Sequence, residues 1–368
     1  MQAGLVLPAA AFAASHASDS LAQAPAGVAY RTLGRTGLKV SGVGCGIGLI
    51  PDPAVLVRAA DLGVNYFDTA RVYEKGKSEE LAGAALRSRR NKIVLASKTD
   101  ALTKADVIKD MDDSLKALRT DHVDIWHLHA RDTPGSITDE AVEAQEMLKK
   151  QGKTRFIGIS AHDINAVVDK IVKLGKHDVV QTTYSYPIGS DRNAAIHKLH
   201  EAGIGVVAMK VIVALAGFMP PKNMRVLKDE GPLAAVKWVL LNPDISTTVP
   251  FAKNIAEVEM NFRAMTESYT PQDEKMLFAR NEAIRPYYCR MCYECKGKCP
   301  NGVPVADELR YLAYNDFAGD LRQARGHFMQ LPREIRDVKC SDCASCAIDC
   351  RNGVEVRNRL IRAQDLLA

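Results

Sequence analysis

The stretch Val64 to Lys98, VNYFDTARVYEKGKSEELAGAALRSRRNKIVLASK, contains the plan of most of the chain. Val64 to Thr69 is a short apolar run closed by a carboxylate, Glu79 to Arg87 is amphipathic at helical spacing, and Ile93 to Lys98 is a second apolar run closed by a cation. Short apolar runs flanked by turn signals read as buried strands, and a helical pattern between two of them reads as a crossover. Outward from this unit the alternation recurs, with strands expected near 42–46, 64–69, 93–98, 122–129, 156–160, 179–184, 205–210 and 246–250. Helical patterns lie between them, as at Ala54–Leu62, Ala105–Leu118 and Asp139–Lys150. Eight strand–helix units in a row predict an α/β fold, a (β/α)8 TIM barrel over residues 28–285.

Chemistry in such a barrel sits at the carboxyl ends of its strands. Four residues gather there: Asp68 ends one strand, Tyr73 follows in the loop, Lys98 ends the next strand and His129 ends Asp124-Ile125-Trp126-His127-Leu128-His129. A buried lysine beside a carboxylate and a tyrosine can pull the phenol's pKa down and make it a proton donor near neutrality. Any one of these residues alone reads more simply as half of a structural salt bridge.

Two segments give the set a family likeness. Tyr30-Arg31-Thr32-Leu33-Gly34-Arg35-Thr36-Gly37-Leu38-Lys39-Val40 resembles the opening β-hairpin of the aldo/keto reductases, and Phe67-Asp68-Thr69-Ala70 with Tyr73 and Ser78-Glu79-Glu80 resembles their signature segment. The resemblance runs from about residue 28 to 265. It implies a catalytic tetrad of Asp68, Tyr73, Lys98 and His129, with Tyr73 protonating the carbonyl oxygen, Lys98 and Asp68 tuning Tyr73, and His129 orienting the carbonyl. It further implies that Ser160 and Gln181 hold a nicotinamide carboxamide, although Ala161 stands where an asparagine is common. Met209, followed by Lys210, replaces the usual aromatic stacked on the nicotinamide. Lys253 is implied as a phosphate contact and Asn261 as an adenine contact. Phe251 and Glu257 stand where members that prefer NADP place basic groups, so the expectation leans to NAD.

Gly42-Val43-Gly44-Cys45-Gly46-Ile47-Gly48 has the look of a dinucleotide-binding glycine loop, but its third glycine is off by one and it opens a barrel strand. Close packing around that strand explains the glycines, and Cys45 reads as a small buried apolar residue.

The remaining eight of nine cysteines form two runs of identical spacing: Cys289, Cys292, Cys295, Cys299, then Cys340, Cys343, Cys346, Cys350. C-x2-C-x2-C-x3-C is the spacing of bacterial two-cluster ferredoxins, in which the fourth cysteine of each run ligates the other cluster. A closed zinc site has no use for a third cysteine at the same interval, and three closely spaced thiols pair poorly as disulfides, yet both alternatives stay open. The crossed arrangement would put Cys350 with Cys289, Cys292 and Cys295, and Cys299 with Cys340, Cys343 and Cys346. The second run ends in Cys350-Arg351, where the ferredoxin pattern has proline. Residues 286–368 carry helical patterns at Val305–Tyr314 and Val354–Leu367 and no alternating strands. They resemble the helical ferredoxin-like domains appended to some oxidoreductases, which implies two [4Fe-4S] clusters.

A net charge of +5, with basic residues spread along the chain, gives no support to nucleic-acid binding, and no apolar stretch is long enough for a membrane span. Residues 1–27 are alanine-rich, then small and polar, with A-x-A sites at Ala22-Gln23-Ala24 and Ala24-Pro25-Ala26. They read as the apolar and cleavage regions of a truncated export signal or as a disordered tail, so the expected location is periplasmic, otherwise cytoplasmic. Three functions fit. One is an NAD(P)-dependent oxidoreductase for a small carbonyl or alcohol substrate, whose clusters serve electron transfer, to a redox partner protein among other acceptors, or sensing. A second is the same enzyme with structural clusters, and a third is a non-enzymatic nicotinamide-binding sensor. Substrate choice should rest on the loops Ala130–Ser136 and Val211–Met224.

Overall fold

The computed structural model describes residues 28–48, 50, 52–212 and 230–368. The export-signal reading and most of the loop after Val211 lie outside them. An antiparallel hairpin, β1 (Tyr30–Thr32) and β2 (Lys39–Ser41), precedes the barrel. Eight parallel strands follow in sequence order: β3 (Cys45–Gly46), β4 (Tyr66–Asp68), β5 (Val94–Thr99), β6 (Val123–Leu128), β7 (Thr154–Ala161), β8 (Val179–Thr183), β9 (Gly205–Met209) and β10 (Thr247–Thr248). Parallel bridges from Val43 to Thr248 and from Gly46 to Phe251 bring the first strand back to the last.

All eight expected barrel strands form, but β3 and β10 are shorter than expected. Here the chain passes too close to its neighbours for side chains: a Cβ on Gly44 would stand 2.8 Å from the Tyr66 carbonyl oxygen. That close approach, not phosphate binding, accounts for the glycine there. Cys45 is buried in the core, and burial pushes its thiol up to about 12.

The barrel helices are α1 (Pro53–Asp61), α2 (Lys77–Leu86), α3 (Lys104–Leu118), α4 (Asp139–Lys150), α5 (Ile164–Leu174), α6 (Gly189–Glu201), α7 (Gly231–Leu240) and α8 (Ile255–Arg263). Side-chain caps start several of them: Asp52, Thr103, Thr138 and Asn254 each accept a first-turn N–H that would otherwise lack a partner. In α5, Ile164, Val167, Val168 and Ile171 share the buried stripe that the helical period predicts. α9 (Pro271–Ile284) packs on α7.

Beyond it lie α10 (Val305–Ala318), α11 (Leu321–Phe328), the single turn α12 (Arg333–Arg336) and α13 (Val356–Leu367). Sequence reading anticipated α10 and α13 but not α11, which buries only Ala324 and Phe328 and so leaves little periodic signal. Leu312, Phe328, Ala363 and Leu367 form a small core between these helices. The buried Asp316 of α10 accepts from Arg359 at 2.5 Å and Arg362 at 2.8 Å, tying α10 to α13. Extended pairing does occur in this region: Lys296 and Asp349 exchange both backbone hydrogen bonds at 3.0 Å and join the two cysteine runs.

Candidate functional site

Strand register brings the four strand-end residues together. β4 pairs with β5 so that Asp68 lies opposite Ala96, and the Lys98 side chain then reaches the Asp68 carboxylate at 2.5 Å and the Thr69 carbonyl at 2.6 Å. Both side chains are almost wholly buried. The Tyr73 ring stands edge-on to His129 at 5.7 Å, and the Lys98 ammonium lies 5.2 Å from the Tyr73 ring centre. Tyr73 heads a short 3-10 turn, with Glu74 and Lys75 at φ +48° and +57°. Ser78 anchors the start of the next helix through Thr69 (2.7 Å) and the Ile47 carbonyl (2.9 Å). Glu79, fully buried, accepts from Ser97 at 2.6 Å and Arg71 at 2.5 Å, bracing the loop from beneath.

One electrostatic expectation needs correcting. Burial, with Asp68 adding to it, pushes the Tyr73 phenol well above its ordinary range instead of below it. The cation meant to lower it is already committed to Asp68, and burial pulls the Lys98 ammonium itself down. His129 is driven well below its ordinary value by burial and by Lys98, so it stands as a neutral imidazole able to donate to a carbonyl oxygen.

The residues expected to hold a nicotinamide line the same end. Gln181 donates to Asp68 at 3.0 Å while its carbonyl oxygen is buried with no partner, an acceptor suited to a carboxamide N–H. Ser160 lies opposite Gln181 in the sheet, and its hydroxyl accepts from the Ala130 N–H at 2.9 Å, keeping its own proton to donate. Met209 and Lys210 close β9, with Lys210 at φ +57°. Asn261 donates to the Phe251 carbonyl at 3.2 Å, and its own oxygen is buried and unpartnered. Glu257 occupies the start of α8, accepting from the Lys253 N–H at 2.8 Å. A carboxylate therefore fills the helix terminus that would attract a phosphate.

Several residues at this mouth gave no sequence signal. Arg310 of α10 reaches Asp132 at 2.8 Å and His162 at 3.2 Å, and His162 meets Asp132 at 2.9 Å. Burial would raise the Asp132 carboxyl, but His162 and Arg310 hold it well below the usual range. Tyr314, one helical turn after Arg310, lies under the Lys210 ammonium at 4.5 Å, and its charge is felt with that of Tyr73. The C-terminal helical region thus covers the barrel mouth. Separate loops and a separate helix supply these contacts, so no local spacing could announce them.

All eight cysteines of the two runs are free thiols, and six of them (Cys289, Cys295, Cys299, Cys340, Cys346 and Cys350) pack in or against an apolar nest of Val303, Val305, Leu309, Ile348, Val354, Val356 and Leu360. The Lys296–Asp349 bridge sets Cys295 of the first run beside Cys350 of the second, and the Cys289 and Cys340 thiols feel the charge of Cys350 and Cys299 on the opposite runs. Gly297 makes it possible, since a Cβ there, at φ +87°, would strike the Ala347 carbonyl. Met291 and Tyr293 flank Cys292 at φ +54° and +56°, a conformation costly for such side chains and typical of functional loops. Burial pushes the Cys289 thiol up to about 12 and the Cys340 thiol up to about 11. N–H groups point at three sulfurs: Met291 at Cys289 (3.4 Å), Asn352 at Cys292 (3.5 Å) and Gln364 at Cys340 (3.4 Å). Among the described residues no three of His, Cys, Asp and Glu stand close enough to hold a single ion. The thiols are set in apolar surroundings, with N–H groups directed at three of the sulfurs.

Comparison with known proteins adds the following. Residues 53–225 match the aldo/keto reductase family. The chain is 35% identical over 160 residues to the uncharacterized oxidoreductase YqkF of Bacillus subtilis, covering 39% of this chain and 52% of that protein, so it spans about half of that relative's length. It is 29% identical over 310 residues to L-galactose dehydrogenase of Arabidopsis thaliana, covering 70% of this chain and 94% of that one. An aldo-keto reductase of Klebsiella pneumoniae solved in complex with NADPH superimposes with a TM-score of 0.56 at 25% identity, over 68% of this chain and 94% of that one.

Proposed function

We infer that this chain, whose residues 53–225 match the aldo/keto reductase family, is an oxidoreductase that interconverts a carbonyl and an alcohol with NAD(P). The observation that carries this reading is the convergence of Asp68, Tyr73, Lys98 and His129 at one end of the barrel. When bound, the nicotinamide supplies or accepts the hydride. Gln181 and Ser160 would hold its carboxamide through the unpartnered oxygen and the hydroxyl described above. Neutral His129 donates to the substrate oxygen and fixes the carbonyl, while the Tyr73 phenol delivers the proton to that oxygen during reduction. Proton delivery proceeds as charge building on the substrate oxygen makes that oxygen more basic than the Tyr73 phenolate, and Lys98 is the buried cation near enough to favour the phenolate left behind. Glu257 at the α8 terminus favours NAD over NADP, because a 2′-phosphate would meet a carboxylate there.

The two cysteine runs support two [4Fe-4S] clusters, which would take up and release single electrons. Cys289, Cys292, Cys295 and Cys350 would hold one, and Cys340, Cys343, Cys346 and Cys299 the other. A second reading, in which these groups only secure the C-terminal helices over the barrel, draws support from the Arg310–Asp132 contact at the mouth.

The test is Tyr73→Phe assayed with NADH and simple aldehydes. Carbonyl reduction should drop by roughly 10²–10⁴-fold with nicotinamide binding retained. An active Phe variant removes the proposed role.

A further inference from the structure

Resting on the oxidoreductase reading, a second set of groups at the barrel mouth bears on which carbonyl compound enters. The C-terminal region presents Arg310 and Tyr314, four residues apart on α10 and so on one face. His327 stacks on Tyr311 at 5.3 Å and lies 5.3 Å from Tyr314. The barrel answers with Lys210, His162 and Asp132.

Charge at this junction is unevenly settled. Arg310 is held between Asp132 at 2.8 Å and Asp307 at 2.9 Å, so each of those carboxylates has a guanidinium contact. Burial lowers both His162 and His327, leaving them neutral imidazoles. Lys210 is different. The residue is half-buried, its ammonium lies over the Tyr314 ring, and among the described residues it has no carboxylate partner. Burial and the Arg310 charge push it down to about 7, with Asp132 opposing them. A desolvated cation with only a ring face for company is costly, and an incoming anion would relieve it. Its backbone at φ +57°, immediately after β9, directs this long side chain from a conformation such residues rarely adopt. Tyr314 feels the charge of Tyr73, so the ring under Lys210 belongs to the same end of the barrel as the proton donor.

We propose that Lys210, roofed by Tyr314 and Arg310 of the C-terminal region, binds a carboxylate carried by the substrate, making the enzyme one for oxo acids and hydroxy acids. In reduction, hydride from NAD(P)H goes to the carbonyl carbon and the Tyr73 proton to its oxygen, giving the hydroxy acid and NAD(P)⁺; the carboxylate is unchanged. The cofactor's own pyrophosphate is the other anion that could seek Lys210, and the experiment separates the two.

Steady-state reduction of para-carboxybenzaldehyde and of its uncharged methyl ester is compared for the full-length wild type, Lys210→Met and Lys210→Arg, with NADH affinity read by fluorescence. In Lys210→Met the kcat/KM ratio of acid over ester should fall about tenfold or more, Lys210→Arg should restore much of it, and NADH affinity should hold. An unchanged ratio in Lys210→Met overturns the proposal, and so does a weakened NADH affinity with the ratio kept, which would assign Lys210 to the cofactor. If the wild type reduces neither aldehyde, the oxidoreductase reading fails and takes this inference with it.

Discussion

The barrel mouth and the cysteine nest are both buried, polar and built from residues distant in sequence, but they are held in opposite ways. At the mouth each functional side chain sits at or just after the end of a strand, and parallel register fixes Asp68, Lys98, Ser160 and Gln181 relative to one another. Two cations there are already paired, Lys98 with Asp68 and Arg310 with Asp132, while Lys210 lies against a ring. In the nest the thiols hang on loops tied by one two-residue bridge, and Met291 and Tyr293 of the first loop adopt left-handed backbone. The mouth is finished by the fold itself, whereas the nest is an arrangement that a bound group would complete, since ligand binding and folding are coupled in such sites.

Experiments that break one region and spare the other sharpen this contrast. The largest effect should come from Tyr73→Phe, which removes the proton donor and should leave any iron absorbance intact; a change in that absorbance would mean the two regions are not separable. Next, Cys299→Ala should cost the iron held by the later cysteine run while the earlier run keeps its own, as read by iron content and low-temperature electron paramagnetic resonance. Loss confined to the earlier run would refute the crossed arrangement. Replacing Arg310 with Met leaves the partly buried Asp132 to His162 and the Asp163 N–H and should lower stability by roughly 1.5–3 kcal/mol, measured by denaturant melts of the full-length protein; a shift near zero would mean that α10 is not secured at the mouth by this pair. Smaller is Glu257→Ser, for which affinity for NADP relative to NAD should rise about tenfold, or roughly 1.4 kcal/mol. No change in titrations with both cofactors would clear Glu257 of a role in the choice.

Acidity offers a finer probe of the mouth. Asp132 is held below its ordinary range in the folded protein, so its contribution to stability is fully present above about pH 4 and is lost as pH falls toward the folded value. Asp132→Asn should flatten the acid limb of a stability–pH curve; an unaltered limb would show that Asp132 does not control it.

The difference between the regions also explains what could be read in advance. Strand-end residues were legible because period and position coincide: an apolar run followed by Asp68 or Lys98 announces both the strand and the group it delivers. The thiols were legible by spacing alone, whereas the meeting of the two runs depends on a contact between Lys296 and Asp349 that spacing does not encode. The direction of the Tyr73 shift was misread because sequence places Lys98 near it without showing that Asp68 has already claimed the ammonium.

By itself the sequence determined the eight-stranded barrel, the four strand-end residues and the two cysteine runs, because hydrophobic period and ligand spacing are local properties of the chain. Only the tertiary structure decided that α10 lies over the barrel mouth, bringing Arg310 to Asp132 and Tyr314 to Lys210. Those contacts join residues up to 178 positions apart. They arise from packing between separately formed elements, and no periodicity along the chain records which surfaces will meet.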